Sequence, residues 1–195
     1  LFYIYSHPRP YLIRLMEKTQ RPVAPEEVVF GSAESRISTA ISRDVKAGRL
    51  RRIAPKLYTT NLKDPPESIV RRNLYRILGR YYPGAVVSHR SALEGGLTGD
   101  GTLFLTYKYT KRMQLPGLTI RLLKGRGAVE GDNPFMEGLH LASRPRALLE
   151  NLQPARARGG TPKSWTRAEI GEYLDEIARV HGEEESLNKL RQGIG

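Results

Sequence analysis

The stretch Ser35–Thr60 decides the fold that the sequence predicts, and it reads SRISTAISRDVKAGRLRRIAPKLYTT. In its first half, four apolar residues recur at the i, i+3, i+4 and i+8 spacing of one helix face: Ile37, Ala40, Ile41 and Val45. Gly48 stands where a residue in the left-handed conformation commonly ends a helix. The sequence therefore predicts a helix that begins at Ser32 or Ser35 and ends before Gly48.

A small basic hairpin is predicted to follow this helix. The runs Leu50–Ile53 and Lys56–Thr59 are compatible with β-strands, and Ala54-Pro55 joins them. Ahead of the helix, Phe30-Gly31-Ser32 supplies a turn, and a short support helix is expected to begin near Pro25. Helix, glycine stop and basic hairpin in this order are the plan of a winged helix-turn-helix.

The charge of this segment indicates an anionic partner. Residues 31–63 hold eight basic and two acidic residues, and their net charge of +6 is half of the chain's +12. Cations that displace counterions from phosphate supply most of the non-specific affinity for a duplex, and the major groove admits an α-helix. The predicted DNA-binding residues are Ser38, Thr39, Ser42, Arg43, Lys46, Arg49, Arg51, Arg52 and Lys56. The alternative is a solvated charged face without a partner, which is what most isolated charge runs are.

The predicted fold class is α+β, with three domains. Residues 1–62 form a winged helix-turn-helix DNA-binding domain that includes a helix over about 10–18. Residues 63–153 form a small α+β domain, and residues 154–195 form a basic linker and a helical tail. The tail reverses the charge of the body, since residues 166–192 hold four basic and seven acidic residues.

Several elements of the second and third domains follow from local signals. Asp64-Pro65-Pro66-Glu67 predicts a helix start with Asp64 as the N-cap, and this helix runs to Tyr81. Thr102–Tyr107 and Thr119–Leu123 are predicted to pair as a hairpin across a basic loop. Further strands are predicted over 85–87 and 138–142, and further helices over 88–94, 143–152, 166–181 and 183–191. Thr166 to Glu169 reads as a capping box, and Trp165 is expected to anchor the helix that it opens.

Composition excludes several classes of protein. The 195 residues hold 39% hydrophobic and 27% charged residues, as ordinary globular proteins do. Without cysteine there is no disulfide framework or thiolate metal site, and a cytoplasmic location is expected. No apolar run reaches membrane-spanning length. The chain begins with Leu rather than Met, which indicates a processed protein or a piece of a longer one.

The sequence predicts neither catalysis nor a metal or other cofactor. Its four histidines lack metal-ligand spacing, and His89 beside Ser88 has no acidic neighbour in sequence to orient it. The segment Lys124-Gly125-Arg126-Gly127 is only a fragment of a phosphate loop, and a basic turn is its simpler interpretation. Tyr107 and Tyr109 could stack on nucleobases beside their neighbouring cations, although single-strand binders usually present more aromatic residues on one sheet face.

The order of these signals resembles the AbiEi-like antitoxins, which are transcriptional regulators of bacterial abortive-infection systems. The matching stretches are ISRDVKAGRLRRIAPKLYTT, PGAVVSHRSALEGGL, LPGLTIR and LHLASRPRALLENL, within residues 35–152. The resemblance implies a winged helix that binds operator DNA and represses the chain's own promoter. It also implies a partner toxin that resembles nucleotidyltransferases. A homodimer is expected, because many groove-reading helices act in pairs on palindromic sites.

A second resemblance concerns the region that precedes the catalytic domain in some Fic-family proteins. It rests on LYTTNLKDPPESIVRRNLYRIL and LENLQPARARGG. It implies that the chain is a regulatory or interaction module of a larger nucleotidylyltransferase. The segment Asn133–His140 imitates the Fic loop HPFx[DE]GNGR, but it lacks the loop's His, Asn and Arg, so it cannot carry that chemistry.

Overall fold

The computed structural model describes residues 27–152 and 162–181. In these residues the chain forms six α-helices and two β-sheets, which confirms the predicted α+β class. The helices predicted over about 10–18 and 183–191, and the start of the support helix near Pro25, lie outside the described residues.

The helices are α1 (Ser35–Lys46), α2 (Pro66–Arg72), α3 (Leu74–Tyr81), α4 (His89–Glu94), α5 (Arg144–Leu152) and α6 (Arg167–His181). The strands are β1 (Val28–Phe30), β2 (Arg51–Ala54), β3 (Leu57–Thr59), β4 (Val86–Val87), β5 (Thr102–Tyr107), β6 (Lys111–Leu115), β7 (Leu118–Lys124), β8 (Asn133–Pro134) and β9 (His140–Leu141). A single 3-10 turn in the described residues spans Met136–Gly138.

The smaller sheet has the order β1-β3-β2, and both of its pairings are antiparallel. The predicted hairpin is confirmed as β2 and β3, although its turn is Pro55-Lys56 rather than Ala54-Pro55. Strand β1 falls where the sequence suggested a support helix and a turn. The predicted stop of α1 is also confirmed, because Gly48 follows the helix with φ at +68°.

The larger sheet has the order β6-β7-β5-β4-β9-β8. Thr102–Tyr107 does pair with the predicted segment, but the two strands are parallel, so the predicted hairpin is wrong. The reason is β6, which occupies part of the supposed loop and pairs with β7 in the antiparallel sense. The turn Pro116-Gly117 therefore joins β6 to β7, and the short segment 108–110 carries the chain from β5 past the end of β7 to β6.

The helix predicted from Asp64 to Tyr81 is divided at Asn73 into α2 and α3. The N-cap of α2 is Pro65, without a side-chain hydrogen bond, so the prediction of Asp64 as the cap is wrong. The carboxylate of Asp64 instead accepts hydrogen bonds from Asn61 and Arg72. A partly buried ionic network thus binds the side chain that would otherwise cap the helix.

One apolar cluster joins the smaller sheet to α2, α3 and one face of the larger sheet. It contains Val28 and Leu57 from the smaller sheet together with Ile69, Ile77 and Leu105. A second cluster joins Val86 of the larger sheet to α4, α5 and α6, and it includes Leu148 and Leu174. The larger sheet therefore lies between two helical layers, and the smaller sheet shares the core of the first layer.

The tail helix α6 begins as the sequence predicts. The Thr166 hydroxyl accepts from the Glu169 amide at 3.2 Å, and the Glu169 carboxylate accepts from the Thr166 amide at 2.6 Å. These reciprocal bonds form a capping box. The ring of Trp165 lies 5.2 Å from that of Tyr173, and its indole nitrogen donates to Glu94, which confirms its anchoring role.

Candidate nucleic-acid interface

Helix α1 packs on the rest of the described residues through the middle of one face. Ile41 is buried in it, whereas Ile37 and Val45 are 42% and 36% exposed. The predicted apolar face therefore reaches the core of the described residues through a single side chain. The remainder of α1 is presented outward.

The polar side chains of α1 form a continuous outward sector. At 100° per residue, the predicted DNA-contacting residues of the helix lie within about 140° of its circumference, and the centre of this sector is about 130° from Ile41. All of them are exposed: Ser38, Thr39, Ser42, Arg43 and Lys46. The Ser42 hydroxyl donates to the carbonyl oxygen of Ser38 at 2.9 Å, so it keeps its lone pairs as acceptors. This sector combines hydroxyl groups with long cations.

The turn after α1 is held by Asp44. Its carbonyl oxygen accepts from the amides of Arg49 and Leu50, at 2.8 Å and 3.2 Å. Its carboxylate pairs with the guanidinium of Arg49, whose side chain is 62% exposed. Arg49 therefore remains at the surface, but its charge is offset by an adjacent carboxylate.

The β2–β3 hairpin presents two exposed cations, Arg52 and Lys56. Lys56 lies at the tip with φ at +58°, and its carbonyl oxygen accepts from the Gly31 amide at 2.8 Å. The Tyr81 hydroxyl donates to the carbonyl oxygen of Pro55 at 3.0 Å, and burial, with smaller contributions from Tyr82 and Tyr58, raises the pKa of Tyr81 to about 12. These contacts fix the hairpin tip to β1 and α3.

Arg51 does not belong with the exposed cations. It is partly buried, and its guanidinium donates to the carbonyl oxygens of Asn61 and Asp64 at 3.2 Å and 2.5 Å. Its Nη2 group therefore holds the segment after β3, while its Nε atom has no hydrogen-bond partner among the described residues. Arg51 is less accessible than the other predicted DNA-binding residues, and its assignment to that surface stays a prediction.

An ionic network that the sequence did not reveal supports the small sheet. Glu27 accepts hydrogen bonds from Arg72, Asn73 and Asn61, and Arg72 also pairs with Asp64. The hydrogen bond from Arg72 is the main cause that lowers the pKa of Glu27 to about 2, against the opposing effect of burial. Its partners lie 34 to 46 residues from Glu27, so no local sequence signal could identify the network.

A buried group around His89 resembles a catalytic arrangement only in composition. The Nδ1 atom of His89 lies 2.9 Å from the Ser88 hydroxyl and 3.6 Å from the Glu150 carboxylate. A Ser-His-acid triad uses the two opposite ring nitrogens, whereas here both neighbours face the same one. Ser88 is fully buried, and burial lowers the pKa of His89 to about 4. The prediction that the chain is not an enzyme remains a prediction.

The segment that imitates a Fic loop has a packing role. Asn133-Pro134 forms β8, and the Phe135 ring packs edge-on against Tyr75 at 4.9 Å. The backbone at Glu137, with φ at +57°, lies against Gly79 of α3. This segment therefore supplies the edge strand β8 of the larger sheet and packs against α3.

The part of the chain that the structure describes has neither a cluster of metal-ligating side chains nor a membrane-spanning helix. No cluster of His, Asp or Glu in these residues could hold a metal ion. Every helix among them is too short or too polar to pass through a lipid bilayer.

Comparison of the chain with protein-family models, with curated proteins and with solved structures found no match.

Proposed function

We propose that this chain is a sequence-specific DNA-binding protein of the winged-helix type, in which α1 enters the major groove and the β2–β3 hairpin is the wing. The observation that carries the proposal is the outward sector of α1. Its hydroxyl groups and cations are all exposed, and the sector is centred about 130° around the helix from the buried Ile41, so it is accessible to a groove. Such side chains contact base edges and phosphates in helix-in-groove complexes.

The charges divide into contacting and supporting roles. Arg43 and Lys46 on α1, with Arg52 and Lys56 on the hairpin, are exposed and are assigned to phosphate contacts. Arg49 also lies at this surface, but its pairing with Asp44 makes its contribution smaller. The serine and threonine hydroxyls of α1 are assigned to base edges, where a hydroxyl group can donate or accept, and Ser42, which donates to Ser38, is assigned as an acceptor.

The biological role that we propose is transcription regulation, in a protein similar to an autoregulating antitoxin. In this role the chain binds the promoter of its own gene and opposes a nucleotidyltransferase-like toxin. The support is the resemblance of residues 35–152 to AbiEi-like regulators together with the basic surface described above. A homodimer on a palindromic operator fits this role.

The phosphate contacts are tested by titrating a mixed-sequence duplex of about 25 base pairs at several salt concentrations. The double variant Arg43→Ala with Lys46→Ala is expected to lower the slope of log affinity against log salt by about 2. The matched control, Arg144→Ala with Arg167→Ala, removes the same charge from exposed positions on α5 and α6. Equal slopes for the two double variants would refute the assignment of α1.

Base readout is tested by selecting duplexes from a randomised pool. The wild-type protein is expected to enrich one motif, and Ser38→Ala with Thr39→Ala and Ser42→Ala is expected to relax the preference while retaining the salt slope. An unchanged motif would show that these hydroxyls read no bases. Failure of the wild-type protein to enrich any motif would contradict sequence-specific binding.

A further inference from the structure

A second cationic surface lies at one corner of the larger sheet, where β5 and β7 end and β6 begins. The parallel register pairs Tyr107 with Lys124, and the antiparallel register pairs Lys111 with Leu122. Between these strand ends, the Lys124 amide donates to the Thr110 hydroxyl at 3.1 Å. The corner surface is defined by Lys108, Tyr109, Lys111 and Lys124, all of which are exposed.

The sequence around this corner is uniformly basic. Residues 101–129 contain six cations and no aspartate or glutamate. The corner therefore has the charge of a site for a polyanion.

A row of aromatic rings connects the corner to the hairpin tip. Tyr109 packs against Tyr107 at 5.2 Å, Tyr107 against Tyr82 at 5.5 Å, and Tyr82 against Tyr81 at 6.1 Å. Tyr81 in turn donates to Pro55 in the hairpin turn. Since each contact is edge-to-face between partly or fully buried rings, except at exposed Tyr109, the row holds the corner at a fixed position relative to the hairpin.

We propose that the corner surface binds the sugar–phosphate backbone of the same duplex, on the flank of the segment that α1 covers. This inference rests on the proposed function, and it extends the contact surface from the smaller sheet to the larger one. The lysines supply cations to phosphate, and the Tyr109 hydroxyl is a further hydrogen-bond donor to phosphate oxygen.

The geometry favours a duplex backbone over a single strand or an acidic protein. A single-strand binder stacks successive bases on several exposed aromatic rings. At this corner the Lys108 ammonium lies over the Tyr107 ring, 5.9 Å from its centroid, so of the two tyrosines only Tyr109, which is 44% exposed, presents an uncovered ring. A stable protein interface usually has an apolar centre, whereas the side chains of this corner are long cations around one tyrosine.

The test uses the full chain and the mixed-sequence duplex of about 25 base pairs. The corner variant is Lys108→Gln with Lys111→Gln and Lys124→Gln, and the matched control is Arg71→Gln with Arg144→Gln and Arg167→Gln, also at exposed positions. The corner variant is expected to lower the salt slope by about 3 and to shorten the backbone footprint at one end. The control is expected to retain the wild-type footprint.

The outcomes separate this inference from the proposed function. A salt slope and footprint for the corner variant equal to those of the control would overturn the inference, whatever the α1 variant does. A loss of affinity for a single strand of the same length, with duplex binding retained, would overturn it as well. If the corner variant lowers the salt slope but the Arg43→Ala, Lys46→Ala variant does not, the assignment of α1 fails while the corner still binds nucleic acid.

Discussion

Arg146 ties a surface loop and a buried carboxylate to α5. It pairs with Asp132, whose side chain is fully buried, and donates to Glu150 and to the carbonyl oxygens of Arg126 and Gly127. Burial acts to raise the pKa of Asp132, but the amides of Ser143 and Val129, together with Arg146, outweigh it and lower the pKa. The charged form of Asp132 therefore depends on these donors.

Arg146→Met is expected to lower the free energy of unfolding by about 2–3 kcal/mol, because it leaves the buried Asp132 charge without its cation. Denaturant unfolding measures this change. Arg144→Met, at an exposed position on the same helix, is expected to stay within about 0.5 kcal/mol of the wild-type protein. A loss as small for Arg146→Met as for this control would contradict the account of the cluster.

The lowered pKa of the Glu27 carboxylate makes the free energy of unfolding depend on pH. Because its pKa falls from 4.5 to about 2 on folding, its stabilising effect is present above the unfolded value and is lost as the pH falls towards 2. At neutral pH this effect is about 3 kcal/mol. The pKa of His89 is also lowered on folding, from 6.5 to about 4. Between these two values the unfolded chain binds a proton that the folded chain does not, so the free energy of unfolding falls there as the pH falls.

Glu27→Gln is expected to be less stable than the wild-type protein at neutral pH and to lose less stability between about pH 5 and pH 2. Unfolding free energies measured across this range test the prediction. The control is Glu130→Gln, which changes an exposed carboxylate. A constant difference between Glu27→Gln and the wild-type protein over the whole range would exclude the proposed linkage.

At the scale of elements, two helical glycines predict opposite effects of the same substitution. A Cβ atom at Gly79 in α3 would lie 2.2 Å from the backbone oxygen of Glu137, whereas none of the described atoms lies within 4 Å of a Cβ at Gly171 in α6. Alanine is favoured over glycine in a helix by about 1 kcal/mol. At Gly79 the clash with backbone is the larger effect.

Gly79→Ala is therefore expected to destabilise the protein by about 1–3 kcal/mol, and Gly171→Ala to stabilise it by about 0.5–1 kcal/mol. Thermal unfolding of both variants measures the two effects. Stabilisation by Gly79→Ala would mean that the Glu137 segment does not approach α3 as described.

Elements whose signals lie within a few residues were predictable from the sequence. The stop at Gly48 and the capping box of Thr166 and Glu169 depend on neighbours in the chain, so the sequence determines them. The pairing of β5 with β7 was not predictable, because parallel register depends on β6 and on packing against the helices. Asp64 resembled a helix cap in sequence, but Arg72 and Asn61 bind its carboxylate in the fold.

The candidate site was predictable in the same uneven way. Helical spacing identified the exposed sector around Arg43, since both the face and the charge of a helix are readable from sequence. The inward direction of Arg51 was not readable, because Asn61 and Asp64 accept from it only after the chain has turned back. The Tyr81–Tyr109 row was hidden as well, since its rings come from the end of α3 and the end of β5, which are remote in the sequence.

At the scale of the whole molecule, charge is distributed unevenly over the fold. The α1 sector, the hairpin and the corner surface carry cations, whereas α6 has a net negative charge, with Glu169, Glu172, Asp175 and Glu176 against Arg167 and Arg179. A polyanion is therefore expected to approach the basic elements and to be repelled from α6. This separation provides an internal reference for mapping contacts on the intact protein.

The most direct measurement is an NMR titration of the isotopically labelled full chain with the duplex of about 25 base pairs. The chemical shifts of the amides of Ser38–Lys46, Arg52 and Lys56 are expected to change, while those of residues 167–176 in α6 are expected to stay constant. Changes confined to residues outside α1 and the hairpin, or no change at low salt, would contradict the central claim.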